Sequence, residues 1–151
     1  MLLPVVSGEG GAAISRRNYG ETIADLMNPT RYPYWYAPRY DEYSFDVDAL
    51  PVDGHFLVAM AAPRPIMLLT GSLDGWSDPR GEWVSATAAS PVFELYGLEG
   101  VTGKQMPAAG QALLSDLGWF MHDGIHGVFP SDREAMIDFM RRHFDMGRDA
   151  S

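Results

Sequence analysis

Pro65-Ile66-Met67-Leu68-Leu69-Thr70-Gly71-Ser72-Leu73-Asp74-Gly75-Trp76-Ser77-Asp78-Pro79 is the stretch on which the fold turns. Ile66 to Thr70 is a short apolar run, too brief for a helix, that stops at Gly71, the pattern of a buried strand. The residues after it form a loop of Gly, Ser and Asp, and Arg80 to Ala89 then reads as a helix. On the other side, Asp53 to Ala62 has helical spacing and is closed by Pro63. The stretch is therefore a strand set between two helices.

The rest of the chain extends that alternation. Leu2 to Val6 reads as a buried strand entering the flexible turn Ser7-Gly8-Glu9-Gly10-Gly11, and Ile14 to Met27 reads as a helix ended by Asn28-Pro29. Tyr32-Pro33-Tyr34-Trp35-Tyr36-Ala37-Pro38 predicts an ordered surface loop. Pro91 to Tyr96 and Leu117 to Met121 read as further short strands. In the last helix Ser131 and Glu134 have capping-box spacing, with Met136, Ile137, Met140 and Phe144 on one face. Strands alternating with helices predict an α/β fold with a mostly parallel sheet and flanking helices.

Composition narrows the partners. The chain has 151 residues, 46% of them hydrophobic, enough for one small domain with a real core. Its net charge of −9 and scattered Lys and Arg argue against nucleic acid, which needs clustered cations. The same charge repels anionic ligands at long range, so an acidic ligand would have to be held by local groups in a pocket. With no cysteine there is no disulfide framework and no thiolate metal site. Phe56 to Ala62 and Ile66 to Leu69 are too short to cross a bilayer, which argues against a membrane partner. The chain opens directly into an apolar run, which fits either a sequence entered partway or a natural start on an edge strand.

In a parallel α/β sheet the loops at the carboxyl ends of the strands carry the chemistry. One such loop is Gly71 to Pro79; the other is His122-Asp123-Gly124-Ile125-His126-Gly127, just before the final helix. A carboxylate on the earlier loop and an imidazole on the later one follow the order acid, then base, of the second half of an α/β-hydrolase triad. The imidazole takes a proton from the nucleophile, and the carboxylate fixes its tautomer and stabilises the imidazolium. His122 and His126 are four apart, but no third ligand accompanies them and Gly124 breaks a helix between them, so no metal is expected. No Gly-x-Ser-x-Gly elbow occurs; Ser7 follows a strand, but Val5 fills the place where a small residue is required, and Ser7 reads as a turn residue.

Several motifs in order resemble the glucuronoyl esterases, carbohydrate esterase family 15, from about Val5 to Phe144. They are Ser7-Gly8-Glu9-Gly10-Gly11-Ala12-Ala13 with Ser15-Arg16-Arg17 and Gly20-Glu21-Thr22; Leu50-Pro51-Val52-Asp53-Gly54-His55 with Ala62-Pro63-Arg64-Pro65; Asp74-Gly75-Trp76-Ser77-Asp78-Pro79-Arg80-Gly81-Glu82, the most specific; and Gly124-Ile125-His126-Gly127. The resemblance implies hydrolysis, through an acyl-enzyme on serine, of the ester between lignin alcohols and the 4-O-methylglucuronic acid side chains of xylan. It implies neither cofactor nor metal, with His126 as base, Glu21 and Trp76 in contact with the sugar, and His55 structural. Many members carry a Glu acid immediately before the Ser-Gly turn, where this chain has Val6. The resemblance is thus to bacterial members that take the acid from the later loop, which makes Asp74 the expected acid and Asp78 the reserve.

The family's Gly-Cys-Ser-Arg-x-Gly-Lys elbow is not in the sequence. The resemblance therefore implies that residues 1–146 are the C-terminal portion of an α/β-hydrolase domain, followed by a tail at 147–151. The nucleophile and the basic groups for the uronate would belong to an upstream portion, the expected partner, and the chain alone would not hydrolyse esters. The complete enzyme would act on a glucuronoxylan-type ester, secreted or in the periplasm. The same Asp and His would also serve another esterase such as an acetyl xylan esterase. A non-catalytic fragment or a carbohydrate-binding remnant using Tyr32 to Tyr36 is the third expectation.

Overall fold

The computed structural model describes residues 1–32 and 34–144; the tail at 147–151 lies outside them. The centre is a parallel pair, β1 (Ile66–Gly71) and β2 (Leu117–His122), in register from Ile66 opposite Leu117 to Gly71 opposite His122. Every residue of both strands is buried. The crossover between them carries α3 (Pro79–Leu95), as a parallel connection requires.

Successive side chains of β1 go to opposite faces. Ile66 and Leu68 join Trp83, Ala86, Ala89 and Phe93 of α3 and Val58 of α2 (Gly54–Ala59). Met67 and Leu69 join Ala135 and Phe139 of α4 (Pro130–Phe144). On the first face Trp83 meets Trp119 edge-on, with ring centroids 5.2 Å apart. On the second, a Cβ at Gly118 would stand 2.9 Å from the ring of Phe139, so glycine lets α4 settle onto the sheet.

Leu2–Val6 lies along the other edge of β1 but makes two parallel bridges, Leu2 with Ile66 and Val5 with Leu69, and no continuous strand. Pro4 explains the interruption. Its carbonyl accepts from Leu69 N–H at 3.0 Å, but it has no N–H to return.

The buried strand expected at Leu2 to Val6 is thus only a bridged, partly exposed segment, and three further expectations of local structure are corrected. Ile14 to Met27 is not one helix: a 3-10 turn at Ser15–Arg17 gives way to left-handed Asn18 and Gly20, and α1 covers only Ile23–Leu26. A reciprocal Thr22–Asp25 capping box starts α1 afresh. Pro91 to Tyr96 is not a strand but the last part of α3. Ala86, Ala89 and Phe93 continue one buried face past Pro91, and Ser90 Oγ donates to Ala86 O while accepting from Val101 N. Burial of Phe93, worth about 2–3 kcal/mol, offsets the roughly 3 kcal/mol that an interior proline costs.

The third correction concerns α4. It begins at Pro130, and the carboxylate of Asp132, not a Ser131–Glu134 box, accepts the Phe129 N–H at 2.7 Å. Its inward face is Asp132, Ala135 and Phe139, while Ile137 and Phe144 are exposed. Among the described residues no helix is long and apolar enough to cross a membrane.

Candidate active site

Both candidate loops leave the sheet at one end, because β1 and β2 are parallel and end together at Gly71 and His122. They are stitched to each other: Ser72 N donates to His122 O at 2.9 Å, Leu73 N to Gly124 O at 2.8 Å, and Ser72 Oγ to Asp123 Oδ1 at 2.9 Å. The acid and imidazole therefore rest on a pair of loops with their own shared hydrogen bonds.

Asp74 is buried. Its Oδ1 accepts the Ser77 N–H at 3.1 Å, and its Oδ2 lies 2.9 Å from Nδ1 of His126. With Nδ1 committed to the carboxylate, Nε2 is the nitrogen left for chemistry, and His126 lines a cleft of about 460 Å³. Ser77 Oγ also approaches Nδ1, at 3.2 Å, but on the side that faces the acid, where a nucleophile has no role. This serine was not anticipated from sequence; its place between Asp74 and Asp78 carries no distinguishing pattern.

Asp78, the reserve acid, is held elsewhere. Arg17 grips it through Nε at 2.6 Å and a terminal nitrogen at 3.3 Å. His122 is not in the cleft either. It is buried, with Nδ1 2.9 Å from Asp132 Oδ1 and Nε2 2.9 Å from the Ile125 carbonyl, and it stacks on Phe129. Both ring nitrogens are engaged, which leaves no lone pair for a metal. Among the described residues no three His, Asp or Glu side chains gather where they could hold one.

The predicted sugar contacts do come together. Glu21 and Trp76 both line the cleft, joined by a backbone bond from Glu21 N to Trp76 O at 2.8 Å. Gly20, at φ 73°, allows this approach, since a Cβ there would lie 2.5 Å from the Trp76 carbonyl oxygen. Burial raises the Glu21 carboxyl above its usual range, and the Trp76 indole and Arg31 guanidinium draw it partly back. Arg31 also sits 5.0 Å above the Trp76 ring. Tyr32 and Trp35, stacked at 4.1 Å, give the cleft an aromatic wall.

Ser7 reaches the cleft, but its Oγ accepts the N–H of Ala12 at 3.1 Å, as a turn residue does. Behind it Glu9, also in the cleft lining, accepts from Ser15 Oγ at 2.5 Å and from Tyr40 Oη at 3.0 Å, and burial raises its carboxyl. His55 is on α2 and contacts Phe56, away from the cleft. Asp53, two residues before it, caps α2 through Gly54 N and ties down Ser15 N and Arg16.

A family model described as "Glucuronyl esterase, fungi" matches residues 1–97. The chain is similar to carbohydrate esterase MZ0003 from an unknown prokaryotic organism, at 36% identity over 93% of this chain and 32% of that one. It is also similar to a 4-O-methyl-glucuronoyl methylesterase of Phanerochaete carnosa, at 24% identity over 100% of this chain and 35% of the relative. Among solved structures it is similar to a CE15 glucuronoyl esterase from Teredinibacter turnerae, with a TM-score of 0.85 at 37% identity, over 94% of this chain and 34% of that one. The chain thus spans about a third of the length of these relatives.

Proposed function

Since the chain belongs to the glucuronyl esterase family, we propose that it supplies the acid–base half and part of the sugar site of a serine esterase acting on 4-O-methylglucuronoyl esters. The single observation that carries this is the Asp74–His126 pair, whose imidazole lines a cleft also lined by Glu21 and Trp76. In this reading residues 1–146 are the C-terminal portion of an α/β-hydrolase domain, and the serine comes from a portion outside the 151 residues.

The chemistry assigns each group one task. The serine hydroxyl adds to the ester carbonyl while its proton passes to Nε2 of His126; that proton then leaves with the alcohol, and an acyl-serine remains. Water repeats the sequence, giving its proton to His126 and its hydroxyl to the acyl carbon; the bond from that carbon to the serine oxygen then breaks, and the serine takes the proton back from His126. The negative Asp74 favours the imidazolium formed in each half. Glu21 accepts from sugar hydroxyls and Trp76 offers a flat apolar face. The substrate is a polymer of the plant wall, so the completed enzyme would work outside the cell.

The test is complementation. The chain is mixed or co-expressed with the upstream two thirds of a glucuronoyl esterase that carries the serine elbow, and methyl and benzyl glucuronates are assayed beside acetylated xylo-oligosaccharides. Hydrolysis of the glucuronates, abolished by His126→Ala, is the expected result. Release of acetate alone would assign a different esterase. Saturable binding of glucuronoxylan without turnover would make the chain a binding fragment.

A further inference from the structure

Behind the Asp74–His126 pair lies a carboxyl group for which the ester chemistry has no use. Glu82 is in the first turn of α3, where an acidic residue ordinarily faces water and the helix dipole. Here it is fully buried. Its Oε1 accepts the backbone N–H of Gly8 at 2.9 Å, across a separation of 74 positions. Gly8 belongs to the turn that lines the cleft and faces the acid loop: a Cβ added there would meet Ser77 at ordinary contact distance, 3.5 Å from its Cα and 3.6 Å from its Oγ. Ser77 in turn donates its N–H to Asp74. The path from Glu82 to the acid is therefore Gly8, Ser77, Asp74.

The other carboxyl oxygen, Oε2, is buried without a partner, as is the hydroxyl of Thr70. Thr70 is on β1, just before the acid loop, and near enough to influence the Glu82 carboxyl. An ionised carboxylate in such a place would be costly, whereas a protonated one has a hydrogen to give. Burial raises the Glu82 carboxyl to about 8, and the charge of Asp74 adds to the effect. Of the elements packed on it, the acid loop presents Asp74, the Ser7–Gly8 turn presents backbone, and β1 presents Thr70. Asp78, whose carbonyl accepts the Glu82 N–H, has its own charge neutralised by Arg17.

We propose that Glu82 is a positioning residue, which clamps the Ser7–Gly8 turn onto the acid loop and so holds Asp74 against His126. As a neutral acid it does this without setting a second negative charge behind Asp74. Lys or Arg could not accept the Gly8 N–H, and an ionised Glu would repel the carboxylate it is meant to hold. The proposal rests on the acid–base reading of Asp74 and His126, and its test separates the two.

The experiment is proton NMR of the full 151-residue chain; among the described residues two imidazoles have Nδ1 facing a carboxylate, exposed His126 with Asp74 and buried His122 with Asp132. The downfield Nδ1 proton of His126 is the reporter, and that of His122 shows that the fold is intact. Glu82→Ala is expected to weaken the His126 signal, spare the His122 signal, and speed exchange of the Gly8 amide roughly tenfold or more. Glu82→Gln, which keeps the acceptor and a hydrogen, restores both. As pH rises through about 8, the wild type loses the reporter earlier than Glu82→Gln does.

Retention of both signals in Glu82→Ala with unchanged Gly8 exchange would overturn the clamp. If Glu82→Ala fails to fold and both signals vanish, the comparison of wild type with Glu82→Gln decides, and identical pH courses overturn it. Should Asp74→Asn leave the His126 proton in place, it is the acid–base pair that fails, independently of Glu82.

Discussion

Asp74 and His126 meet across the boundary between core and solvent: their 2.9 Å contact joins a carboxylate 1% exposed to an imidazole 59% exposed. The carboxylate sits where fields are strong and water is absent, while the imidazole keeps its free edge in the cleft. The arrangement gives the carboxylate its full influence on an imidazole that can still reach a substrate.

Replacing the acid should therefore be costly in rate and cheap in shape. In the enzyme completed by a serine-bearing portion, Asp74→Asn is expected to lower kcat roughly a thousand- to ten-thousand-fold, since the amide can leave His126 in the wrong tautomer. Asp78→Asn should behave in the opposite way. It breaks the Arg17 pair and lowers stability by about 1–2 kcal/mol in a denaturant titration, with kcat little changed. Equal losses of kcat in the two variants would contradict the assignment of Asp74.

Stability should fall as pH rises from about 4.5 to about 8. The Glu82 carboxyl titrates near 8 in the folded chain against 4.5 for the free group, so between these values the folded state holds a proton that the unfolded state has released. The stabilisation is complete below about 4.5 and is lost as pH climbs through about 8. Glu9 and Glu21, also raised by burial, act in the same direction. Urea midpoints measured across this range should decline with pH in the wild type and decline less in Glu82→Gln.

The contact between Gly118 and Phe139 should be intolerant of added volume. Gly118→Ala places a methyl 2.9 Å from the Phe139 ring and 2.8 Å from the Leu113 carbonyl oxygen, and it should cost about 1–3 kcal/mol. Phe139→Leu alone should cost a similar amount by leaving a void. The double variant should cost less than the sum, because the smaller side chain makes room for the methyl. Strict additivity in thermal or urea melts would show that α4 does not bear on Gly118.

How much of this could be read from the sequence depended on the range of the interactions. Ile66 to Thr70 and Leu117 to Met121 declared themselves as buried strands by local apolarity, and the loops after them followed from the behaviour of parallel sheets. That Asp74 and His126 would stand on neighbouring loops was legible for that reason. Pro91 misled because a proline usually stops a helix, and only Phe93, fully buried beyond it, shows why this helix continues. Ile14 to Met27 carried a helical pattern that the demands of Arg16 and Arg17 on Asp53 and Asp78 overrode. Ser77 and Glu82 were quoted as part of a motif, but their contacts were not legible, since their partners lie 49 and 74 positions away and no periodicity marks such contacts.

Removing the aromatic face of the cleft should affect affinity more than turnover. Trp76→Ala in the completed enzyme is expected to raise KM for glucuronate esters roughly tenfold with a smaller change in kcat, as loss of ground-state binding does. Glu21→Gln should weaken binding less, because its oxygen can still accept a hydroxyl. A large fall in kcat with unchanged KM in Trp76→Ala would instead place the indole at the reacting carbonyl.

The last rung of the ladder, Gly71 opposite His122, has a consequence for how the site can vary. A slip of one residue would turn Ile66 and Leu68 toward α4 and shift one loop along the other by about 3.3 Å, far beyond what proton transfer tolerates. The alignment of Asp74 with His126 is thus enforced by greasy side chains that lie outside the cleft. Conversely, the exposed turn at Thr102-Gly103, midway along the return from α3 to β2, can gain or lose residues without disturbing that alignment. Insertions there should be silent in catalysis, while a single methyl misplaced in the sheet should not.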